Sequence, residues 1–352
     1  MTGTPTPPNA AALTDPAAFL ALGLALAASP AGGLALALVE RALARHGGDP
    51  AWEAAARVIR TAHVPEFHHQ MLRDRARNAA YGAAIARFAP GRTVLDIGTG
   101  SGLLAMMAAR AGAARVFACE ANPMLAISAR AVIAANGLAD RITVFDCHST
   151  KLDRQRDLRG GVDMVVSELF AEGVIGEGVI ASLAHARADL AAPGALVLPG
   201  RADIMVALAQ FPTPAATAGI VEGFDLGAFE PHIRHRNRRT ADDPLLALRS
   251  PAISLLGFDF AAGDPPESGA AQGTLLSTGG TVSGLAQWLR LTFADDIVYE
   301  NRPGSGPDHH WVVSLVACPP RETRKGEVFR AGLTYADDTL ALWCAPGSAP
   351  PA

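Results

Sequence analysis

Cysteine is scarce in this chain of 352 residues: there are four, Cys119, Cys147, Cys318 and Cys344, with no CxxC pair and no metal-finger spacing. That excludes a disulfide framework and a structural zinc site, and predicts a reducing, cytoplasmic setting with no metal. An excess of one charge is also lacking, since 30 Lys and Arg face 34 Asp and Glu for a net charge of -4. The total therefore predicts no specific nucleic acid partner. The start, MTGTPTPPNA, has no basic n-region of the signal-peptide kind. The longest apolar stretch, from Ala17 to Val39, is divided by Gly23, Ser29, Pro30, Gly32 and Gly33. Its pieces are too short to cross a bilayer, so two soluble helices and no membrane association are expected.

What is present is a globular composition, 49% hydrophobic and 18% charged, long enough for two or three domains. Residues 1–15 read as a disordered tail. Helices are predicted at 16–28, 32–46 and 50–61, forming a helical cap over 16–62. Phe19, Leu22, Gly23, Leu26, Ala35, Val39 and Ala42 fall at tetratricopeptide-like spacings, although any Ala-rich helical hairpin shares much of that pattern.

From 63 to 200 strands alternate with helices, which predicts βαβ units around a parallel sheet, an α/β architecture. One helix is expected to carry His68, Met71, Leu72, Tyr81 and Ile85. Strands follow at 93–97, 115–119, 142–145, 162–167 and 195–198. After Pro199 the runs become short and β-like, predicting an antiparallel β-barrel domain over 201–352 with an irregular arm near 211–250. The arm holds a basic cluster, His232, Arg234, His235, Arg236, Arg238 and Arg239, suited to an acidic partner or to solvent.

VLDIGTGSG, Val94 to Gly102, is a strand entering a glycine turn before a helix. Gly98, Gly100 and Gly102 remove the Cβ atoms that would keep a ligand from the backbone. Asp96 inside the motif matches the form found in class I S-adenosylmethionine enzymes, and Glu120 ends the next strand where a carboxylate can hold a ribose. Ser149 and Thr150 fall where this topology passes the adenine, or else form an ordinary turn. In SELFAEGVIGEG, Glu168 and Glu177 lie nine apart on a loop at the carboxyl edge of the sheet, with Glu172 a competing acid between them. Two carboxylates there suit a planar guanidinium by bidentate bonding.

These motifs resemble the protein arginine N-methyltransferases, over about residues 64 to 345 and most closely the branch of arginine methyltransferases seven and nine. VPEFHHQMLRDRARNAAY resembles the family's N-terminal helices with their MLxDxxRxxxY pattern, and SELFAEGVIGEG its double-glutamate loop. DHHW, Asp308 to Trp311, resembles its Thr-His-Trp loop, with His309 in place of Thr. VEGFDLGAFEPH lies close to the branch's dimerisation arm. The resemblance implies a Rossmann-like class I methyltransferase domain followed by a β-barrel domain. It implies S-adenosyl-L-methionine as cofactor, a protein or peptide arginine as substrate, and a homodimer through the arm.

It implies cofactor contacts from His68, Met71, Arg77, Gly98 and Glu120, which join Asp96, Gly100 and Gly102 of the glycine motif and the turn residues Ser149 and Thr150. Glu168 and Glu177 would grip the guanidinium, Trp311 would wall its pocket, and Asp74 with His310 would accept the released proton. Asp74 and Arg77, three apart, can equally form a surface pair. Thr150 and Lys151 stand where many members have a glutamate for the adenine amino group. A methyltransferase acting on a small molecule or another nucleophile, or a noncatalytic partner-binding module, remains open beside this reading.

Overall fold

The computed structural model describes residues 13–62, 64, 67–212, 219–232, 237–263 and 265–347. The basic residues Arg234, His235 and Arg236, and residues 1–12 of the tail expected to be disordered over 1–15, lie outside them. Two compact units are present. The first contains residues up to His69, Ile85–Glu168 and Asp189–Ala195; the second contains Gln70–Ala84, Leu169–Ala188 and the chain from Leu196 onward.

In the first unit, α1 (Pro16–Ala27), α2 (Gly32–His46) and α3 (Pro50–Thr61) form the expected helical cluster. The starts of α1 and α3 follow from one local device, an Asp immediately before Pro. Asp15 and Asp49 accept hydrogen bonds from the orphan amides of α1 and α3 while Pro16 and Pro50 preset the first helical φ. Gly23 of α1 is placed so that a Cβ would overlap Ile59 Cδ1 of α3, and Phe19 meets Trp52 with ring centroids 5.1 Å apart. Among the described residues no helix is long and apolar enough to cross a membrane.

The same unit holds a five-stranded sheet of β1 (Thr93–Ile97), β2 (Arg115–Cys119), β3 (Ile142–Phe145), β4 (Val162–Ser167) and β5 (Ala191–Leu198). Their order is β3-β2-β1-β4-β5, with β1 parallel to β2 and β4, and β2 parallel to β3. In β1, β2 and β4 nearly every side chain is buried, as expected for strands covered on both faces. Helix α6 (Leu103–Arg110) follows β1, and α7 (Pro123–Ala135), capped by Asn122 before Pro123, follows β2. The N-terminal helices share a core with α7 through Met124.

In the second unit, Arg201–Gln210 pairs antiparallel with Ile253–Asp259 and with the long strand Gly280–Ala294. Gly280–Ala294 also pairs with Ile297–Glu300 and Val313–Thr323. Ser268–Leu276, Val328–Ala336 and Thr339–Pro346 make a separate three-stranded sheet. Trp288, fully buried, centres a core with Met205, Phe211 and Val313.

The single helix expected around His68 to Ile85 is two. α4 (Phe67–Arg73) stops and α5 (Arg75–Phe88) begins at Asp74, whose Oδ1 accepts the Arg77 amide at 2.7 Å. An Asp with a free backbone amide two or three residues ahead competes with the helical ladder and restarts it.

Candidate active site

In the first unit the site grows out of the end of β1. The chain turns through Gly98, Gly100 and Gly102 at φ of +72°, +52° and +83°, values that favour glycine. A Cβ on Gly100 would stand 3.6 Å from the His68 ring. Asp96 is buried, and its Oδ2 accepts from Thr99 Oγ1 at 2.6 Å and from the Ala105 amide at 3.0 Å. It therefore ties the glycine turn to the first turn of α6. Glu120, at the end of β2, accepts the Gly100 amide at 3.0 Å on Oε2 and the Asn122 amide at 2.8 Å on Oε1. Burial pushes the His68 imidazole down, against the pull of the Glu120 carboxylate. His68, Gly100 and Glu120 are thus neighbours at the carboxyl end of the sheet.

Ser149, in the turn after β3, is 2% exposed, and its hydroxyl has no hydrogen-bond partner among the described residues. Thr150 beside it is exposed and bonds the His148 ring at 2.9 Å. A bare glycine turn, a carboxylate at the end of β2 and an orphaned buried hydroxyl fit a nucleoside cofactor. Glu168 follows directly on β4, whose last residue, Ser167, donates to the Ile97 carbonyl at 3.2 Å. Strands β1 and β4 flank the point where strand order reverses, the usual ligand crevice of such sheets.

The second unit contains Met71, Asp74, Arg77, Glu177, His310 and Trp311. Asp74 and Arg77 are 1% and 2% exposed, which rules out the surface pair. Asp74 Oδ2 lies 2.9 Å from His310 Nδ1, and also receives the His310 amide at 3.0 Å and the Tyr299 hydroxyl at 2.9 Å. Burial pushes the Asp74 carboxyl up, but the bonds from His310, the Arg77 amide and Tyr299 outweigh it and hold it below the usual range. Burial lowers His310, against the upward pull of Asp74. Together these favour an ionised Asp74 facing a neutral His310.

The His310 ring packs on Trp311 with centroids 3.9 Å apart. Trp311 Nε1 donates to the Phe170 carbonyl at 2.9 Å, fixing it to the glutamate loop. In that loop Glu177 adopts φ +52°, a left-handed conformation unusual for a non-glycine residue, beside Gly176 and Gly178. Glu172, the competing acid, is committed elsewhere: its carboxylate pairs with Arg238, and its carbonyl accepts Gln287 Nε2 at 2.6 Å. Arg239 pairs with Asp243 at 3.1 Å, so two members of the basic cluster are neutralised internally.

Two groups that no sequence motif marks, Asn301 and Tyr299, also stand here, together with His309, the residue in place of Thr in DHHW. Asn301, fully buried, donates to the Trp311 carbonyl at 3.0 Å and accepts the Leu289 amide at 3.1 Å. Tyr299 and His309 join the Asp74 cluster. Tyr299 is unmarked because its carboxylate partner, Asp74, lies 225 residues away.

A family profile described as Ribosomal protein L11 methyltransferase (PrmA) matches residues 84–198. A protein of Streptomyces achromogenes subsp. streptozoticus called arginine N(omega)-methyltransferase is 41% identical over 300 residues, covering 82% of this chain and 81% of that one. Protein arginine N-methyltransferase 7 of Drosophila erecta is 40% identical over 152 residues, 41% of this chain but 22% of its own length. Among solved structures, the Trypanosoma brucei PRMT1 enzyme-prozyme heterotetrameric complex with AdoHcy is similar at a TM-score of 0.67 and 22% identity, covering 79% of this chain and 91% of that one. The protein arginine methyltransferase 10 of Arabidopsis thaliana is similar at 0.64 and 21%, covering 76% and 86%.

Proposed function

The chain belongs to the arginine N-methyltransferase family, and on that premise we propose that it methylates an ω-nitrogen of an arginine guanidinium with S-adenosyl-L-methionine as methyl donor. The observation that carries the chemistry is the buried Asp74–His310 pair at 2.9 Å. A guanidinium nitrogen that gains a methyl must lose a proton, and a neutral imidazole backed by a carboxylate is suited to take it near neutral pH.

When bound, the cofactor supplies an electrophilic methyl group on a sulfonium. Toward it, Glu120 is the proposed ribose ligand, and Gly98, Gly100 and Gly102 the backbone cradle. Asp96 serves by bracing that cradle, with Ser149 and Thr150 near the base and His68, Met71 and Arg77 completing the cofactor contacts. Glu168 and Glu177 are the proposed partners of the guanidinium. A guanidinium spreads its charge over three nitrogens and is a poor nucleophile. Two carboxylates localise that charge away from the attacking nitrogen and hold it in line. His310 Nε2, the ring nitrogen not bonded to Asp74, would take the proton that the guanidinium nitrogen loses as it gains the methyl group. Trp311 walls the arginine side.

A protein or peptide arginine is the first substrate proposed. A free arginine or similar small guanidine is the second, and one observation favours it. The relative matched along four-fifths of its length is named for arginine, whereas the one named for protein arginine is matched over about a fifth of its own. Incubation with both substrate classes, followed by mass spectrometry of the methylated product, separates the two.

Finer readings belong to the same proposal. The N-terminal helices are taken as a tetratricopeptide-like cap, supported by the close approach at Gly23, and the strands after Leu198 as the family's β-barrel. The arm is taken as a homodimer contact, supported by its exposed Ile220, Phe224 and Phe229. A cytoplasmic location is supported by four free cysteines.

A further inference from the structure

Beyond the Asp74–His310 pair, the second unit carries a longer hydrogen-bonded chain that begins at Ser305 and ends at His310. Ser305 Oγ lies 2.6 Å from the Arg302 carbonyl and 2.8 Å from His309 Nε2. His309 Nδ1 is 2.9 Å from the Tyr299 hydroxyl, which is 2.9 Å from Asp74 Oδ2. Proton inventory orders these bonds. A carboxylate only accepts, so the single Tyr299 hydroxyl proton goes to Asp74, and the tyrosine oxygen must accept from His309 Nδ1–H. A carbonyl likewise only accepts, so the Ser305 proton goes to Arg302, and the serine oxygen accepts from His309 Nε2–H. Every bond is satisfied when His309 carries both ring protons.

The consequence falls on His310. The charged and titratable groups facing it are Asp74, Arg77 and His309, with Tyr299 joined through Asp74. The His309 ring and a tyrosine hydroxyl on Asp74 Oδ2 both oppose a second positive charge at His310. Each bond to the carboxylate oxygen weakens what that oxygen can offer to an imidazolium. His309 stands where the family resemblance has Thr, a residue that brings neither a ring charge nor two opposed donors.

Resting on the arginine methyltransferase reading, we propose that Tyr299 and His309 are positioning residues of the proton acceptor: they hold Asp74 ionised and aimed, and keep His310 unprotonated at Nε2 into mildly acidic conditions. Neither needs to touch substrate. They set the pH range over which His310 can receive a proton.

The test uses Tyr299→Phe, His309→Thr and His309→Gln in the full chain. Removing the hydroxyl or the imidazole is expected to raise the acid limb of the kcat profile by about half a pH unit or more. kcat should fall about threefold or more at the acidic end and return toward the unmodified enzyme at alkaline pH, with the KM for cofactor unchanged. His309→Gln, which restores a donor to Tyr299 without a charge, should lie between. Superimposable pH profiles in Tyr299→Phe and His309→Thr overturn the proposal. If Tyr299→Phe fails to fold, as judged by its thermal transition and cofactor binding, His309→Thr carries the test. Titration of His310 by NMR needs no substrate, and an unchanged midpoint in the variants also overturns the proposal. An upward shift there, with no arginine substrate methylated by any form, would uphold the tuning of His310 while removing the reaction it was assigned to.

Discussion

Asp74 and His310, 236 residues apart in the chain, meet at 2.9 Å inside one compact unit, with one carboxylate oxygen on the imidazole and the other capping helix α5. The helix start and the proton acceptor are therefore fixed by the same side chain. Asp74→Asn keeps a capping oxygen but turns an acceptor into a donor on the His310 side. It should leave the thermal midpoint lowered by only a few degrees, while kcat falls on the order of 100-fold. Circular dichroism melting with steady-state kinetics checks both halves.

Acid should act on stability and turnover in the same direction. Burial sets His310 below its usual 6.5, and hydrogen bonding sets Asp74 below its usual 3.8. Between its ordinary and folded values each group binds more protons in the unfolded chain than in the native one, so stability falls as pH falls. The loss begins as pH drops through about 6.5 for His310 and continues below 3.8 for Asp74. Denaturant midpoints measured from pH 8 to 4 should decline monotonically, and His310→Gln should flatten the upper part of that curve.

The glutamates separate binding from chemistry. Glu168→Gln and Glu177→Gln should each lower kcat by roughly 100-fold or more and leave S-adenosylmethionine affinity, read by calorimetry, within about twofold. Glu172→Gln should change kcat little, because its carboxylate is already paired with Arg238.

Trp311 ties two loops together through its Nε1 bond to the Phe170 carbonyl. Trp311→Phe keeps an aromatic wall but leaves that buried carbonyl without its donor, a cost of about 1–3 kcal/mol. The KM for arginine should rise more than the KM for cofactor.

The N-terminal cluster makes a separate stability prediction. Gly23→Ala drives a Cβ into Ile59 Cδ1 and should destabilise by about 1–3 kcal/mol. Ile59→Val removes the nearest atom in the way, Cδ1, and leaves Cγ1 at 2.6 Å, so the double variant should lose somewhat less than the two single losses added together. Thermal melts of the four proteins decide it.

Much of this was legible in the sequence because the signals are local. Strands β1 to β4 fall where their apolar runs predict, and the first three helices start at Asp-Pro pairs or an apolar periodicity that needs no tertiary context. The glycine turn and Glu120 follow from one strand, one turn and the next strand. The break at Asp74 was not legible, since MLRDRARN is a run of helix formers, and only a buried partner 236 residues away makes a cap the better use of that aspartate. Tyr299 was hidden for the same reason: its partner is 225 residues distant, and nothing in IVYENRPG marks the tyrosine as more than a strand residue. The competition between Glu172 and Glu177 also required coordinates, because Arg238 comes from a different segment of the chain.

The most direct measurement is mass spectrometry of the products formed from S-adenosylmethionine with free L-arginine and with a panel of arginine peptides. The account predicts a methyl group on an ω-nitrogen of arginine in at least one of these classes, lost in Glu168→Gln, Glu177→Gln and Asp74→Asn. An active preparation that methylates a different nucleophile and leaves every arginine unmodified would contradict it.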